Sequence, residues 1–469
     1  MICLGPSGRC LAGLLLFLTA SGAAAQAPPD TTLTLGDAVR LALTRSLDLE
    51  RAGYAVALRS LDARDAAAAG DPDLTLSAGP SLRYARGYET DFFGIPDSTG
   101  APGATLGTGG EASLGVTAGL QLSLPLFDGG ARRARRQAAE QVLAASRRDR
   151  DRTAETVASQ AATQYLQVLQ AAALVRVEEN GLASGRALLA RVRAEYDVGN
   201  RNLGDVLQQQ AALAQNEQRL ATARRNEAVA RVALRQSLRL PTGTPLSLAS
   251  DSLAGVDGLV APADLGAEAL VRIALATRAD LGAQAALREA ARLDIRAARA
   301  GRAPTLRLGS DAGTAYTSLD DNRGLPAQLL DVNPSASVGL TLALPILDSG
   351  RTRRAVERAE VLLADAVASL ELQRLRVAAD VETAVLDVQA AEARLEAAAD
   401  GVAAAREALA AAEARYGVGA GIFLDVLDAR RTLLQAETDV TTARYDLLLG
   451  RIAVAFQTGL LGDALVALD

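Results

Sequence analysis

Leu124-Pro125-Leu126-Phe127-Asp128-Gly129-Gly130 occurs twice in this chain, the second time as Leu344-Pro345-Ile346-Leu347-Asp348-Ser349-Gly350, 220 residues further on. The same offset relates Ala194-Glu195-Tyr196-Asp197-Val198-Gly199 to Ala414-Arg415-Tyr416-Gly417-Val418-Gly419. One offset that holds over about 80 residues indicates an internal duplication. The period is much longer than a solenoid unit, so the chain consists of two copies of a large structural half.

The first 25 residues have the pattern of a secretory signal peptide. Arg9 supplies the positive charge, an apolar run extends from Leu11 to Leu18, and Ala23-Ala24-Ala25 offers a cleavage site. Both cysteines, Cys3 and Cys10, lie inside this segment. We therefore expect residues 1–25 to be removed, and the mature chain to have no thiol, no disulfide and no lipid-accepting cysteine at its start.

The composition excludes several functional classes. All 49 basic residues are arginine, against 55 acidic residues, and histidine is absent. Removing Arg9 with the signal peptide changes the net charge from −6 to 48 minus 55, or −7, which argues against a general nucleic-acid partner. A P-loop needs lysine, and the usual zinc sites need histidine or cysteine. We expect no catalytic residues, no metal site and no cofactor.

Each half follows the order helix, strand, strand, long helix, tight turn and return helix. Continuous helical patterns over 36–69 and 264–301 open the two halves, which we place at residues 26–240 and 264–469, joined by a linker at 241–263. The predicted strands are 73–84, 112–124, 305–316 and 335–344; the predicted long helices are 131–196 and 351–416; the predicted return helices are 204–239 and 424–457.

The predicted strands alternate apolar and small polar residues. Residues 113–124 and 337–344 have period two, as expected of a strand with one apolar face. Strands of about 10 residues cross a bilayer when tilted. Five aromatic residues fall at the connecting loops, where a membrane barrel has its interfacial girdle. They are Tyr84, Tyr88, Phe92, Phe93 and Tyr316. A soluble sandwich edge is the alternative.

The long helices have no proline to break them, and 66 residues extend about 100 Å. The second helix contains a coiled-coil seam. Its members are Val381, Ala384, Val388, Ala391, Leu395, Ala398, Val402, Ala405, Leu409, Ala412 and Tyr416. Gly199 and Gly419 are expected to end the long helices in the left-handed conformation, and Asp128 and Asp348 to cap their starts.

Four amphipathic strands cannot form a membrane barrel alone. Open sheet edges leave backbone groups unpaired in hydrocarbon, and natural barrels begin at eight strands. The chain is therefore expected to oligomerise. Three copies of four strands give 12 strands and a lumen wider than side chains can plug, whereas two copies give a barrel that side chains fill.

The repeated strand-Pro-[Leu/Ile]-x-Asp junctions, the Tyr-x-Val-Gly turns and the duplicated halves resemble the TolC family of outer-membrane efflux channels. The resemblance covers essentially the whole mature chain. It implies a mainly α protein with a membrane β part: a homotrimer with a 12-stranded β-barrel in the bacterial outer membrane, continued by a long periplasmic α-helical barrel. It implies a passive conduit of a tripartite efflux pump or type I secretion system. The implied partners are outer-membrane lipid, a periplasmic adaptor and an inner-membrane transporter of the RND or ABC type.

The resemblance also implies a gate at the second turn. Asp425 and Asp428 match the paired aspartates of the family's periplasmic entrance. They lie three residues apart on one helical face, and threefold symmetry would make six carboxylates, which favour cations. Tyr416 and Asp205 match positions that tie neighbouring helices shut.

The turns themselves are the expected adaptor contacts, through Gly199, Arg201, Gly419 and Gly421. The family often has arginine two residues after the second glycine, where this chain has Gly421. Arg201 occupies the corresponding place in the first turn, so the closed-state lock is expected to use another partner.

Three simpler interpretations remain open at this point. The chain is alternatively a periplasmic coiled-coil spacer without a pore, or a secreted hydrolase that uses paired carboxylates. The hydrolase lacks a nucleophile motif and a compact pocket. Asp425 and Asp428 are alternatively ordinary acids at a helix start, where the helix dipole favours them.

Overall fold

The computed structural model describes residues 32–85, 111–249, 266–320 and 323–461. The predicted signal peptide, Tyr88, Phe92, Phe93 and most of the 241–263 linker lie outside these ranges. Within them, no helix combines the length and the apolar character that a membrane-spanning helix needs.

The two repeats contain the same elements in the same order. The first has α1 Leu35–Arg45, α2 Leu47–Ala68, β1 Asp73–Ala85, β2 Glu111–Phe127, α3 Ala131–Asp197 and α4 Leu203–Ser237. The second has α5 Ala267–Thr277, α6 Ala279–Arg299, β3 Thr305–Thr317, β4 Ser335–Ala343, α7 Arg351–Gly417 and α8 Phe423–Thr458. The long helices α3 and α7 have 67 residues each.

The helical patterns over 36–69 and 264–301 are each interrupted once, contrary to the sequence interpretation. Ser46 has extended geometry, with φ −65° and ψ 124°, and its hydroxyl accepts a hydrogen bond from the Leu49 amide. Arg278 has nearly the same backbone geometry, with φ −61° and ψ 124°. The apolar periodicity continues across both positions and therefore does not reveal the break, although a serine N-cap is a recognisable signal.

The four strands form one antiparallel sheet in the order β1-β2-β3-β4. Register partners project from the same face of a sheet, so its rows of side chains can be read across the strands. One row contains Leu74, Leu122, Ser310 and Val338, and the adjacent row contains Thr75, Gln121, Asp311 and Ser337. The sheet therefore has one predominantly apolar face and one polar face, and its edge strands are β1 and β4.

Details at the strand ends differ from the sequence interpretation. Strand β2 continues through Pro125 to Phe127, beyond the predicted end at 124, with a register shift opposite β3. Tyr84 and Tyr316 lie within β1 and β3 instead of in the connecting loops. Between β3 and β4, residues 325–332 form a short helical segment. The buried amide of Gln328 holds it by donating to the Thr317 and Arg323 carbonyls, at 3.0 and 2.8 Å.

The junctions between strand and long helix are built by the two repeated aspartates. Asp128 accepts hydrogen bonds from the Gly130 and Arg132 amides, at 3.2 and 2.8 Å. Asp348 does the same in the second repeat, where the side chain and the amide of Thr352 lower its pKa to about 2. Each carboxylate satisfies free amides of the first turn. The N-cap position itself is taken by a glycine with positive φ, Gly130 or Gly350, and not by the aspartate as expected.

The described helices pack through several hydrophobic clusters, among them one large and one smaller cluster that both include α3. The larger lies where α1, α3, α4 and α8 meet, and at its centre the Tyr165 hydroxyl lies within hydrogen-bond distance of the carbonyl oxygens of Leu33 and Ala249, at 3.0 and 2.9 Å. The smaller lies at the far end of the long helices and includes Val192, Val206 and Tyr416. The predicted seam of α7 is confirmed, because its members are buried or half-buried.

Candidate functional site

The two turns that end α3 and α7 have matching backbones. Gly199 and Gly419 have φ values of +76° and +75°, the left-handed conformation expected for them. In each turn, the amide after the glycine donates to a carbonyl five residues earlier, from Asn200 to Glu195 in the first. The equivalent bond of the second turn joins Ala420 to Arg415, also at 2.9 Å. The return helices start at Leu203 and Phe423, which brings both turns together at one end of the molecule.

A tyrosine–aspartate hydrogen bond joins the two repeats at this end. The Tyr416 hydroxyl, in the last turn of α7, donates to the Asp205 carboxylate, in the first turn of α4, at 3.0 Å. The Tyr416 side chain is only 7% exposed and packs on the Phe423 ring, with centroids 5.3 Å apart. Burial, and then the bond to Asp205, raise the pKa of Tyr416 to about 12. The hydroxyl therefore remains a donor at physiological pH.

Arg201 covers the same tyrosine from the first turn. Its guanidinium carbon lies 3.7 Å from the centre of the Tyr416 ring, and Nη2 donates to the Tyr416 carbonyl at 3.1 Å. Its Nε donates to the Glu195 carboxylate at 2.8 Å, which lowers the pKa of Glu195 and raises the pKa of Arg201. We call the group of Glu195, Arg201, Asp205 and Tyr416 the latch.

The second turn has no equivalent of Arg201. Gly421 stands at that position, and a Cβ atom there would lie 3.2 Å from the Arg415 Cβ atom. Sequence reasoning identified Arg201 as an adaptor contact and as the counterpart of Gly421, and missed its stacking on the tyrosine of the other repeat. The one available signal was the opposite charge of Glu195 and Arg201 across the turn.

Asp425 and Asp428 lie in the first two turns of α8 and take no part in the latch. Both are exposed. Asp428 forms a 3.6 Å ion pair with Arg431, a surface contact of small energetic value. Among the described residues, the Asp425 side chain has no hydrogen-bond or ion-pair partner, and no group of three or more acidic, histidine or cysteine side chains is arranged to hold a metal ion.

The duplicated organisation of this chain agrees with a known protein family, whose model matches each repeat separately. The model of the outer membrane efflux protein family matches residues 38–238 and 270–460, one segment in each repeat. The chain belongs to this family.

Similar proteins include other outer membrane efflux proteins. The pyoverdine export outer membrane protein OpmQ of Pseudomonas putida is 27% identical over 344 residues, which cover 73% of this chain and 70% of OpmQ. The efflux protein BepC of Brucella suis is 27% identical over 350 residues, 73% of this chain and 72% of BepC. TolC of Escherichia coli is 29% identical over 177 residues, 37% of this chain and 36% of TolC.

Solved structures of related channels share the fold. CusC superimposes with a TM-score of 0.77 at 21% identity, over 93% of this chain and 95% of CusC. VceC from Vibrio cholerae superimposes with a TM-score of 0.72 at 22% identity, over 91% of this chain and 96% of VceC.

These findings confirm the resemblance to TolC, the mainly α fold with its β part, and the function as an outer-membrane efflux channel. This outer membrane efflux protein lies in the outer membrane, with its helical part in the periplasm. Its family consists of channel proteins and not of enzymes, and the channel function sets aside the pore-less spacer. The gate and turn residues and the domain boundaries stay predictions.

Proposed function

We propose that this outer membrane efflux protein works as a homotrimeric conduit from the periplasm to the cell exterior. The observation that carries the proposal is the amphipathic sheet with two edge strands, β1 and β4. In a bilayer those edges must pair with strands of other copies, and three four-stranded sheets make a barrel of 12 strands. The apolar face would contact lipid and the polar face the lumen.

The periplasmic end of this conduit is proposed to be the gate. Tyr416 and Asp205, held by Arg201, keep the two turns of a protomer together, which favours a closed arrangement. Asp425 and Asp428 would line the narrow entrance, because both carboxylates are exposed at the start of α8 beside the latch. Two carboxylates from each of three protomers would concentrate cations there and repel anions.

The turns are proposed to receive the periplasmic adaptor. Apolar side chains are exposed around the glycines, with Val198 at 70% and Val418 at 80%. Grouped exposed apolar residues at a protein's end favour a protein partner. Gly199, Arg201, Gly419 and Gly421 would form the contact, and an inner-membrane RND or ABC transporter would supply the energy. The name of OpmQ describes pyoverdine export, but a passive conduit leaves the choice of substrate to its transporter.

Planar-bilayer recordings of the purified protein test the gate. We expect a cation-selective current that polyvalent cations block from the periplasmic side. Asp425→Ala with Asp428→Ala should lower both the selectivity and the block several-fold, because the six carboxylates disappear. Glu396→Ala with Asp400→Ala, two exposed acids of α7, removes the same charge elsewhere and should change neither. Parental selectivity and block in the Asp425/Asp428 variant would place the constriction elsewhere.

A further inference from the structure

Among the described residues, helix packing and strand pairing between the two repeats each lack a counterpart on the other side of the protomer. Helix α6 packs against both α7 of its own repeat and α3 of the other repeat. Its equivalent α2 packs mainly on α3 and buries none of its side chains, leaving Tyr54 and Leu58 60% and 63% exposed. Likewise β2 pairs with β3, whereas β4 and β1 are free edges. The surface with which the second repeat would contact another first repeat is therefore present and uncovered.

The turns also contain a contact inside the protomer whose equivalent in the other repeat is missing. The bond inside the protomer runs from Tyr416 of the second repeat to Asp205 of the first. The offset of 220 converts this pair into Tyr196 and Asp425. Tyr196 is 39% exposed although Tyr416 is buried. Within the described ranges, neither the Tyr196 hydroxyl nor the Asp425 carboxylate has a hydrogen-bond partner, so a donor and an acceptor are left over.

We infer that the Tyr196 hydroxyl of one protomer donates a hydrogen bond to the Asp425 carboxylate of the neighbouring protomer. The inference rests on the proposed trimeric channel, in which three such joints alternate with the three Tyr416–Asp205 joints. A carboxylate has two oxygen atoms. Asp425 can therefore accept from Tyr196 with one oxygen and still present the other to the entrance.

The two kinds of joint differ in strength. Inside the protomer, Arg201 stacks on Tyr416 and is itself fixed by Glu195. Between protomers, the residues at the equivalent positions are Gly421 and Arg415, so the position that matches Arg201 has no guanidinium to cover Tyr196. The joint between protomers has only its tyrosine–aspartate bond, and the channel opens there first.

Thiol cross-linking tests the contact. In a Cys3→Ala, Cys10→Ala background, Tyr196→Cys is combined with Asp425→Cys, and outer membranes are treated with a short bis-methanethiosulfonate linker. The matched control combines Tyr416→Cys with Asp205→Cys, a pair of the same residue types that is in contact within the protomer. The control selects the linker length and should give a product with the mobility of a monomer. The Tyr196/Asp425 pair should give covalent dimer and trimer in denaturing gels, reversed by a reductant.

The outcomes separate this inference from the proposed conduit. A heat-labile trimer in which the control pair links and the Tyr196/Asp425 pair gives no dimer or trimer overturns the joint and leaves the conduit standing. Absence of any trimer in the parent protein overturns both.

A second measurement applies if the cysteine pair fails to assemble. Tyr196→Phe should raise the frequency of the open state about fivefold, as expected for the loss of one ordinary hydrogen bond at a partly exposed site. The same substitution in an Asp425→Ala background, which has no acceptor left for the hydroxyl, should add nothing. Additive effects would overturn the joint.

Discussion

The turn around Gly199 and the turn around Gly419 share a backbone but have different charges. Glu195 and Arg201 in the first turn are replaced by Arg415 and Gly421 in the second. The first turn can therefore form an ion pair within itself and place a guanidinium on the tyrosine of its neighbour. In the second turn, Gly421 has no side chain that could do either. The tyrosines diverge accordingly, since Tyr416 is buried and Tyr196 is half-exposed.

In the proposed trimer, this difference would make the joints between neighbouring turns unequal in strength. Six equivalent turns around a ring would form six equal joints, and such a ring has no preferred place to open. In the proposed trimer, an arginine in only one turn of each pair would make three joints strong and three weak. The backbone glycines preserve the shape of both turns, while the residues at 195, 201, 415 and 421 set the strength of the joints.

Removing the arginine is expected to have the largest effect. Arg201→Ala deletes the ring stacking and the bonds to Glu195 and the Tyr416 carbonyl, together about 3 kcal/mol. We expect the open state to become roughly 100-fold more frequent in planar bilayers. Arg186→Ala on the same hairpin is the control, because its ion pair with Glu217 is exposed and of little value. An Arg201→Ala channel that gates like the control would show that stacking contributes nothing to closure.

Removing only the hydroxyl is expected to have a smaller effect. Tyr416→Phe loses one hydrogen bond to a carboxylate, about 1.5–3 kcal/mol, and should raise the frequency of the open state at least tenfold. Asp205→Asn should have a weaker effect in the same direction, because its amide still offers an acceptor oxygen.

The pH dependence of closure follows from the same bond. Folding of the turn raises the pKa of Tyr416 from 10.0 to about 12. The stabilisation is therefore complete below pH 10 and is lost as the pH rises through about 12. The parent channel should open in this alkaline window, and Tyr416→Phe should not respond there. The difference in tyrosinate absorbance between the parent and Tyr416→Phe measures the deprotonation of Tyr416. A titration midpoint near pH 10 would contradict the buried hydrogen bond.

The elements with a periodic apolar pattern were predicted correctly from the sequence. The alternation in β2 and β4 and the seam of α7 are local patterns, and they are recovered as a two-faced sheet and a buried helix face. The break at Ser46 was missed because a cap changes the backbone without changing the apolar pattern. Gln328 was missed because its burial depends on how residues 325–332 fold over the strand ends.

The site was predicted only in part. The resemblance to TolC identified Tyr416 and Asp205, and the structure places them 3.0 Å apart. The stacking of Arg201 on Tyr416 joins residues 215 positions apart, in different repeats. Spacing within either turn contains no information about that approach, which depends on the packing of α4 against the end of α7.

Transplanting the charges of the first turn should produce the smallest change and probes the asymmetry directly. Arg415→Glu with Gly421→Arg would place an ion pair in the second turn and a guanidinium near Tyr196 of the neighbouring protomer. A stacked guanidinium at a partly exposed site contributes about 0.5–1 kcal/mol. The open state should therefore become about twofold to fivefold less frequent.

Two further variants serve as controls for the transplanted charges. In Gly421→Arg alone, the new Cβ atom lies 3.2 Å from the Arg415 Cβ atom. The new arginine also has no carboxylate at position 415 to orient its guanidinium. The single substitution should therefore close the channel less than the pair of substitutions does. Adding Tyr196→Ala to the pair should cancel the gain, because the guanidinium then has no ring to cover. If the pair closes the channel equally well without Tyr196, the guanidinium acts through general charge at the entrance, and the difference between the two turns does not set the order in which the joints open.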